Sequence, residues 1–261
     1  MSDVAATPYL EHDGPIPLAH RGFSQEGLEN SMSAFAAAVA LGYHYVETDV
    51  HATQDGVLVA FHDTRLDRVT DRTGSITGMP WAEVSGARIG GVEPVPRLEE
   101  ILDTWPELRV NIDIKTSGAI VPLVRAIERT NAHDRVCVTS FSDHRRAAAL
   151  RRLSRPVATS AGQRTVARFL AAARLPRRRE AALARVLRGV DCLQVPEDFG
   201  RIKVVNAATL EAAHAVGVQV HVWTVNDDAE MHRLLDLGVD GLVSDRADLL
   251  KQVLQERGTW S

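Results

Sequence analysis

The sequence predicts a closed (β/α)8 barrel, and three observations single that class out. Short apolar runs alternate with amphipathic stretches from residue 16 to residue 257, the pattern of a parallel sheet covered by helices. Eight strand–helix units can be counted, and about 245 residues for eight units match a closed barrel. The alternative, an open doubly wound sheet, would carry a G-x-G-x-x-G turn after its first strand, and none is present.

Residues 16–20 (IPLAH) read as the first strand. A helix over 31–42 starts from Asn30 or Ser31 as N-cap and stops at Gly42. A strand follows at 43–51 (YHYVETDVH), and VLVAFH (57–62) is strand-like again. A parallel crossover between these two needs a dozen or more residues, so 57–62 must fold back as a hairpin. Asp55-Gly56 signals a type I′ turn. With those two residues as the loop, Asp49 lies opposite His62, unless the register slips by one. Residues 64–96, rich in Gly, Thr and Asp, form the longest irregular stretch. Such long loops tend to be functional or disordered, and this one is read as a small insertion or lid over the barrel mouth.

The units then repeat. Residues 97–105 form a helix closed by Pro106, followed by a strand at 108–115, a helix at 119–130 and a strand at 135–141. A helix at 143–153 leads to a short strand at 156–161 and to two helical stretches, 163–175 and 179–189, which Pro176 interrupts. Strands at 192–195, 218–225 and 240–245 alternate with helices at 208–217, 228–238 and 247–257. Residues 1–14 are left as an N-terminal tail before one domain, 15–258.

Composition narrows the function. The 261 residues are 45% hydrophobic and 25% charged, ordinary for a globular protein with a sizeable core. A net charge of −4 argues against broad nucleic-acid binding. The two cysteines, Cys137 and Cys192, sit inside apolar runs and read as free thiols in a reducing compartment. The first residues carry no basic start and no apolar signal core, and no run is long enough to span a bilayer. Cytoplasm is therefore the expected compartment; oligomeric state is left open.

The chemistry lies in strand parity. In YVETDVH, Val46, Thr48 and Val50 share one face, and Glu47, Asp49 and His51 the other. In RVNIDIK, Val110, Ile112 and Ile114 oppose Asn111, Asp113 and Lys115. Helices cover the outside of a barrel, so the charged faces must point inward, where bulky apolar residues normally stand. Glu47, Asp49 and Asp113 bring three negative charges, with Arg21 and Lys115 the cations in reach. Unpaired buried ions cost several kcal/mol each. A divalent cation resolves the excess, and oxygen ligands suit Mg²⁺ or Ca²⁺. The competing reading is a salt-bridged plug, with Lys115 between carboxylates. His20 and His62 end strands at the face where barrel active sites lie. Two imidazoles can accept and donate protons on opposite sides of a reacting centre, and Arg21 offers a planar fork for anionic oxygens. A metal, an Arg, a Lys and two His describe a site for a phosphoryl group.

These residues form a motif series: HRG, EN, E-x-D-V-x-x-T-x-D-G, HD, a D-x-K strand, then WTVN (223–226) and GVDGLVSDRADLL (238–250). The series resembles the glycerophosphodiester phosphodiesterase family from His20 to Leu250. The resemblance implies a TIM barrel that hydrolyses glycerophosphodiesters to glycerol 3-phosphate and an alcohol. It implies His20 and His62 as the acid–base pair, and Glu47, Asp49 and Asp113 as holders of the metal. Arg21 and Lys115 would bind phosphate. Trp223 would line the substrate pocket, unless it is a core aromatic. The family strand usually reads E-x-K, whereas this chain has Asp113, one methylene shorter. His51 has inward parity but no expected role, and Arg177–Arg179 read as a solvated helix face. Alternatives are a lysophospholipase D or sphingomyelinase D type phosphodiesterase, which needs an apolar groove that the 64–96 segment does not supply, and a catalytically silent phosphodiester-binding barrel. A zinc hydrolase using His20 and His62 as ligands is a third.

Overall fold

The computed structural model describes residues 7–24, 26–175 and 179–260. Eight parallel strands form the barrel: β1 (Ile16–His20), β2 (Tyr45–Ala52), β3 (Arg109–Ile114), β4 (Val136–Thr139), β5 (Ala158–Thr159), β6 (Cys192–Val195), β7 (Gln219–Val222) and β8 (Gly241–Ser244). Each pairs with its neighbour in sequence, and β8 pairs with β1. Between β5 and β6 the ring closes through the parallel bridge Ser160↔Cys192. The helices between strands are α1 (Met32–Ala40), α2 (Leu98–Thr104), α3 (Ile120–Arg129), α4 (Asp143–Leu150), α5 (Gln163–Ala173), α6 (Arg179–Val186), α7 (Ala207–His214), α8 (Asp228–Leu237) and α9 (Ala247–Glu256). The interruption expected at Pro176, and Arg177 and Arg178 of the basic stretch, lie outside the described residues.

Local chemistry explains the boundaries. Ser31 caps α1 by accepting from the Ala34 amide, and Ser142, Asn206 and Asp227 cap α4, α7 and α8 likewise. Gly238 ends α8 in the left-handed conformation, φ 95°. Helix α3 buries Ile120, Leu123, Ala126 and Ile127 against the outward Val46, Val50, Val110, Ile112 and Ile114. Each large aliphatic buried this way contributes about 1.5–3 kcal/mol. On the inner face, Glu47, Asp49, Asn111 and Asp113 all reach the barrel's cavity. At the opposite end Tyr9, Leu18, Tyr45, Cys137 and Cys192 pack together, and both cysteines are free. The described part of the stretch expected as a tail is therefore built in. Tyr9 is fully buried, and its carbonyl accepts from the Tyr45 hydroxyl at 2.7 Å.

The hairpin takes the register slipped by one, pairing Val50 with Ala60 and Ala52 with Leu58 rather than setting Asp49 opposite His62. The loop is longer than Asp55-Gly56: the Thr53 amide donates to the Val57 carbonyl, the Val57 amide donates to the Thr53 hydroxyl, and among the loop's residues Gly56 has positive φ. That suits a three-residue loop ending in a left-handed glycine, not a type I′ turn, which needs two such residues. The 64–96 segment is ordered, with a short helix (Trp81–Val84) and an antiparallel pair (Arg88–Ile89 with Glu93–Pro94). Its Leu66, Ile76, Val84, Ala87, Ile89 and Val95 pack with Val59 and Phe61 of the hairpin. All of it is described, and none of it lines the cavity, because its apolar side chains are spent on this core.

The turn after β1 is tight. Arg21 and Gly22 both have positive φ, 55° and 81°, and the Gly22 Cα faces the first turn of α1. A Cβ at Gly22 would stand 2.7 Å from the Ala34 carbonyl carbon. Gly22→Ala should therefore cost about 2–3 kcal/mol and lower the melting temperature by roughly 5–10 °C. Thermal melting by circular dichroism checks this; a midpoint within about 1 °C of wild type would contradict the close approach.

Candidate active site

Parallel strands bring their C-terminal ends to one face. Register then sets His20 beside Glu47, Glu47 beside Asn111, and Asp49 beside Asp113. A cavity of about 500 Å³ opens there. All eight residues nominated from sequence line it: His20, Arg21, Glu47, Asp49, His62, Asp113, Lys115 and Trp223. Trp223 packs edge-on against Phe141, with ring centroids 5.8 Å apart.

Each histidine is backed by a carboxylate. The Nδ1 of His20 lies 2.6 Å from Asp245 Oδ1, and the Nδ1 of His62 lies 2.6 Å from Asp63 Oδ1. Burial disfavours charge on His20, but Asp245 and Glu47 outweigh it and hold its pKa above the ordinary value. Arg68, from the 64–96 segment, donates to Asp63 at 2.6 Å and pulls that carboxyl down to about 2. The same guanidinium grips both oxygens of Glu29, at 2.7 and 3.0 Å, and Glu29 in turn accepts from Arg21 at 2.9 Å. The insertion thus anchors residues at the rim. Asn30, with φ 59°, accepts from Thr48 at 2.7 Å and holds the chain after Glu29 against β2.

The carboxylates are under strain of charge. Lys115 Nζ bridges Asp49 Oδ1 and Asp113 Oδ2 at 2.7 and 2.8 Å, and Arg21 Nε lies 3.2 Å from Asp49. Burial opposes ionisation of Asp49, yet Lys115 and Arg21 hold its pKa below the ordinary value. Burial raises Asp113 despite Lys115, and pushes Glu47 up to about 8 with the Asp49 charge adding to it. Lys115 rises to about 12, because the two aspartates outweigh its burial. The plug is thus partly formed, but it leaves a protonated Glu47 and a buried Asp113 Oδ1 with no hydrogen-bond partner. These donors, oxygen only and one of them orphaned, suit a hard divalent cation in kind. Among the described residues no three such side chains are gathered closely enough to enclose one; Lys115 stands between two of them.

Sequence reasoning passed over several neighbours. Asp63, Arg68, Asn226 and Asp245 surround the histidines. The signal for Asp245 was its place at the end of the last strand, the position that His20 holds on the first. The other wall of the cavity is apolar, built by Phe141, Val166, Leu170, Phe199, Ile202 and Trp223. Phe199 and Ile202, paired on a two-stranded hairpin, are 66% and 46% exposed. The groove that 64–96 does not supply therefore comes from α5 and the hairpin after β6. No helix among the described residues is long and apolar enough to cross a membrane.

Residues 20–249 match the model of the glycerophosphoryl diester phosphodiesterase family. The chain belongs to that family. A Mycobacterium tuberculosis protein named "Probable glycerophosphodiester phosphodiesterase 2" is 46% identical over 263 aligned positions, covering 100% of this chain and 99% of its own length. A Caldanaerobacter subterraneus glycerophosphodiester phosphodiesterase is 27% identical, covering 93% and 99%. Among solved structures, a Silicibacter pomeroyi relative superposes with a TM-score of 0.80 at 21% identity, over 97% of this chain and 98% of that one. An Oleispira antarctica phosphodiesterase, solved with the product sn-glycerol-3-phosphate, gives 0.76 at 22% identity over 93% and 97%. Both likenesses bear out the barrel.

The raised Glu47 pKa has a sign that can be measured. Folded Glu47 keeps its proton up to about pH 8, whereas an unfolded carboxyl releases it near 4.5. Between those values the folded chain binds more protons, so stability falls as pH rises. In chelator-treated protein the melting temperature of wild type should drop relative to Glu47→Gln from pH ~5 to ~8. Parallel profiles for the two would contradict the assignment.

Proposed function

We propose that this enzyme hydrolyses glycerophosphodiesters to glycerol 3-phosphate and an alcohol, using a divalent cation and two histidines. The observation that carries this reading is the convergence, on one side of one cavity, of two carboxylate-backed imidazoles, two cations and three carboxylates. Family membership, the name of the mycobacterial relative and the product bound to the Oleispira protein support the substrate class.

The family generally uses a divalent metal, and here Glu47, Asp49 and Asp113 would hold Mg²⁺ or Ca²⁺. Bound there, the cation supplies neutralisation of the diester's non-bridging oxygens. Arg21 and Lys115 add positive charge on the same side and orient the phosphate. With Nδ1 of both histidines engaged, Nε2 of each is left for proton transfer. One takes the proton of the attacking oxygen as the new P–O bond forms. The other gives a proton to the leaving alkoxide as the old P–O bond breaks. The attacker is either water or the neighbouring glycerol hydroxyl, and trapping of a cyclic phosphate distinguishes the two. Cytoplasmic residence belongs to the same proposal, supported by two buried free thiols.

A second reading, cleavage of acylated relatives of these diesters, is favoured by the apolar wall that includes Trp223 and the exposed Phe199. A mouse protein named lysophospholipase D is 24% identical over 91% of this chain.

Release of glycerol 3-phosphate from glycerophosphocholine tests the first reading. Metal-stripped protein should be inactive and regain turnover with Mg²⁺ or Ca²⁺, and His20→Ala or His62→Ala should cut it by about 10²–10⁴-fold. Near-normal turnover in both variants would sink the acid–base assignment. Choline release from lysophosphatidylcholine that exceeds that from glycerophosphocholine, and falls in Phe199→Asp, would favour the second reading.

A further inference from the structure

The C-terminal motifs WTVN and GVDGLVSD meet at His20, where Asp245 backs the ring. We propose that Asp245, locked in place by Asn226, is the positioning residue that sets which nitrogen of His20 faces the substrate. The inference rests on the reading of His20 as an acid–base group.

Barrel closure builds the arrangement. Strand β8 pairs with β1 in the register Ala19↔Ser244, so the next residues, His20 and Asp245, emerge side by side although 225 positions apart. Asp245 Oδ1 is 2.6 Å from His20 Nδ1, and its Oδ2 accepts from Asn226 Nδ2 at 2.8 Å. The Asn226 amide cannot be turned round without loss. Its Oδ1 already accepts from the Asp245 amide at 2.9 Å and from the Ser244 hydroxyl at 3.1 Å. Ser244 Oγ in turn accepts from the Arg246 amide at 3.0 Å. The Arg246 side chain is committed to Asp248, through two bonds of 2.9 Å, and does not compete for Asp245.

An ionised carboxylate only accepts. Facing Nδ1, it demands a proton there and leaves the Nε2 lone pair toward the cavity when the ring is neutral. The neighbour on the Nε2 side, Glu47 Oε2, is 3.7 Å away and makes no hydrogen bond to it. Asp245 is half-exposed and His20 largely buried, so Asp245 reaches the ring from outside the cavity and leaves the cavity side clear.

The test pairs kinetics with nitrogen-15 NMR of the histidine rings, with the His20 signals identified by their loss in His20→Gln. Neutral His20 in wild type should carry its proton on Nδ1. Asp245→Asn presents an amide that can donate to Nδ1, and should shift the ring toward the Nε2–H form. Its kcat on glycerophosphocholine should fall about 10²–10⁴-fold with KM within about threefold. Asn226→Ala should lower kcat by about tenfold, with the same direction of shift. Wild-type His20 protonated on Nε2 would overturn the proposal, as would Asp245→Asn with an unshifted ring and kcat within threefold of wild type. If Asp245→Asn does not fold, the wild-type spectrum decides alone. A wild type that hydrolyses no diester would strike the functional reading and leave the tautomer result standing.

Discussion

Three carboxylates share the inner face of two neighbouring strands, and only part of their charge is met. Asp49 and Asp113 stand opposite each other in the β2–β3 register and are held together by Lys115. Glu47, two residues along β2, is left to keep its proton. An ordinary barrel would fill these positions with branched aliphatics. The charged face costs stability, because each carboxylate is taken out of water. Lys115, between Asp49 and Asp113, offsets part of that cost. Replacing the group by apolar residues of similar volume would often be neutral or stabilising, so the arrangement makes sense as a binding site.

Everything around that cluster holds it in register. Asn30 bonds Thr48 and approaches Asp49, tying the β1–α1 loop to β2. Arg68 joins Asp63 to Glu29, and so joins the backing of His62 to the partner of Arg21. The 64–96 segment contributes through Arg68, supported by its own small core. Across the barrel, closure of β8 on β1 supplies the backing of His20. The polar half of the cavity is fixed by these bonds, whereas the apolar half is built from α5 and a hairpin that leaves Phe199 and Ile202 exposed.

Much of this was legible because parallel strands and period-two alternation leave little freedom. Val46 and Val50 had to meet helices, so Glu47 and Asp49 had to face inward, whatever they bound there. Strand order followed from the strict alternation of elements. The hairpin register did not, since Asp55-Gly56 fits both a two-residue and a three-residue loop and the backbone chose the longer. Asp245 and Asn226 were visible as motif residues but not as partners of His20, because that contact spans 225 positions and exists only once the barrel closes. The apolar wall was hidden for a different reason. Val166 and Leu170 lie one turn apart on an amphipathic helix, and such a face is expected to pack against strands, not to border a cavity.

The central claim is that the protonated Glu47 and the orphaned Asp113 oxygen belong to a cation site, and binding should therefore displace a proton. Calorimetric titration of Mg²⁺ or Ca²⁺ into chelator-treated protein at pH 7, repeated in buffers of different ionisation enthalpy, counts that proton directly. The account predicts one ion bound with release of about one proton, and loss of the proton release in Glu47→Gln. Absence of binding by either ion, or binding with no proton released, would contradict it.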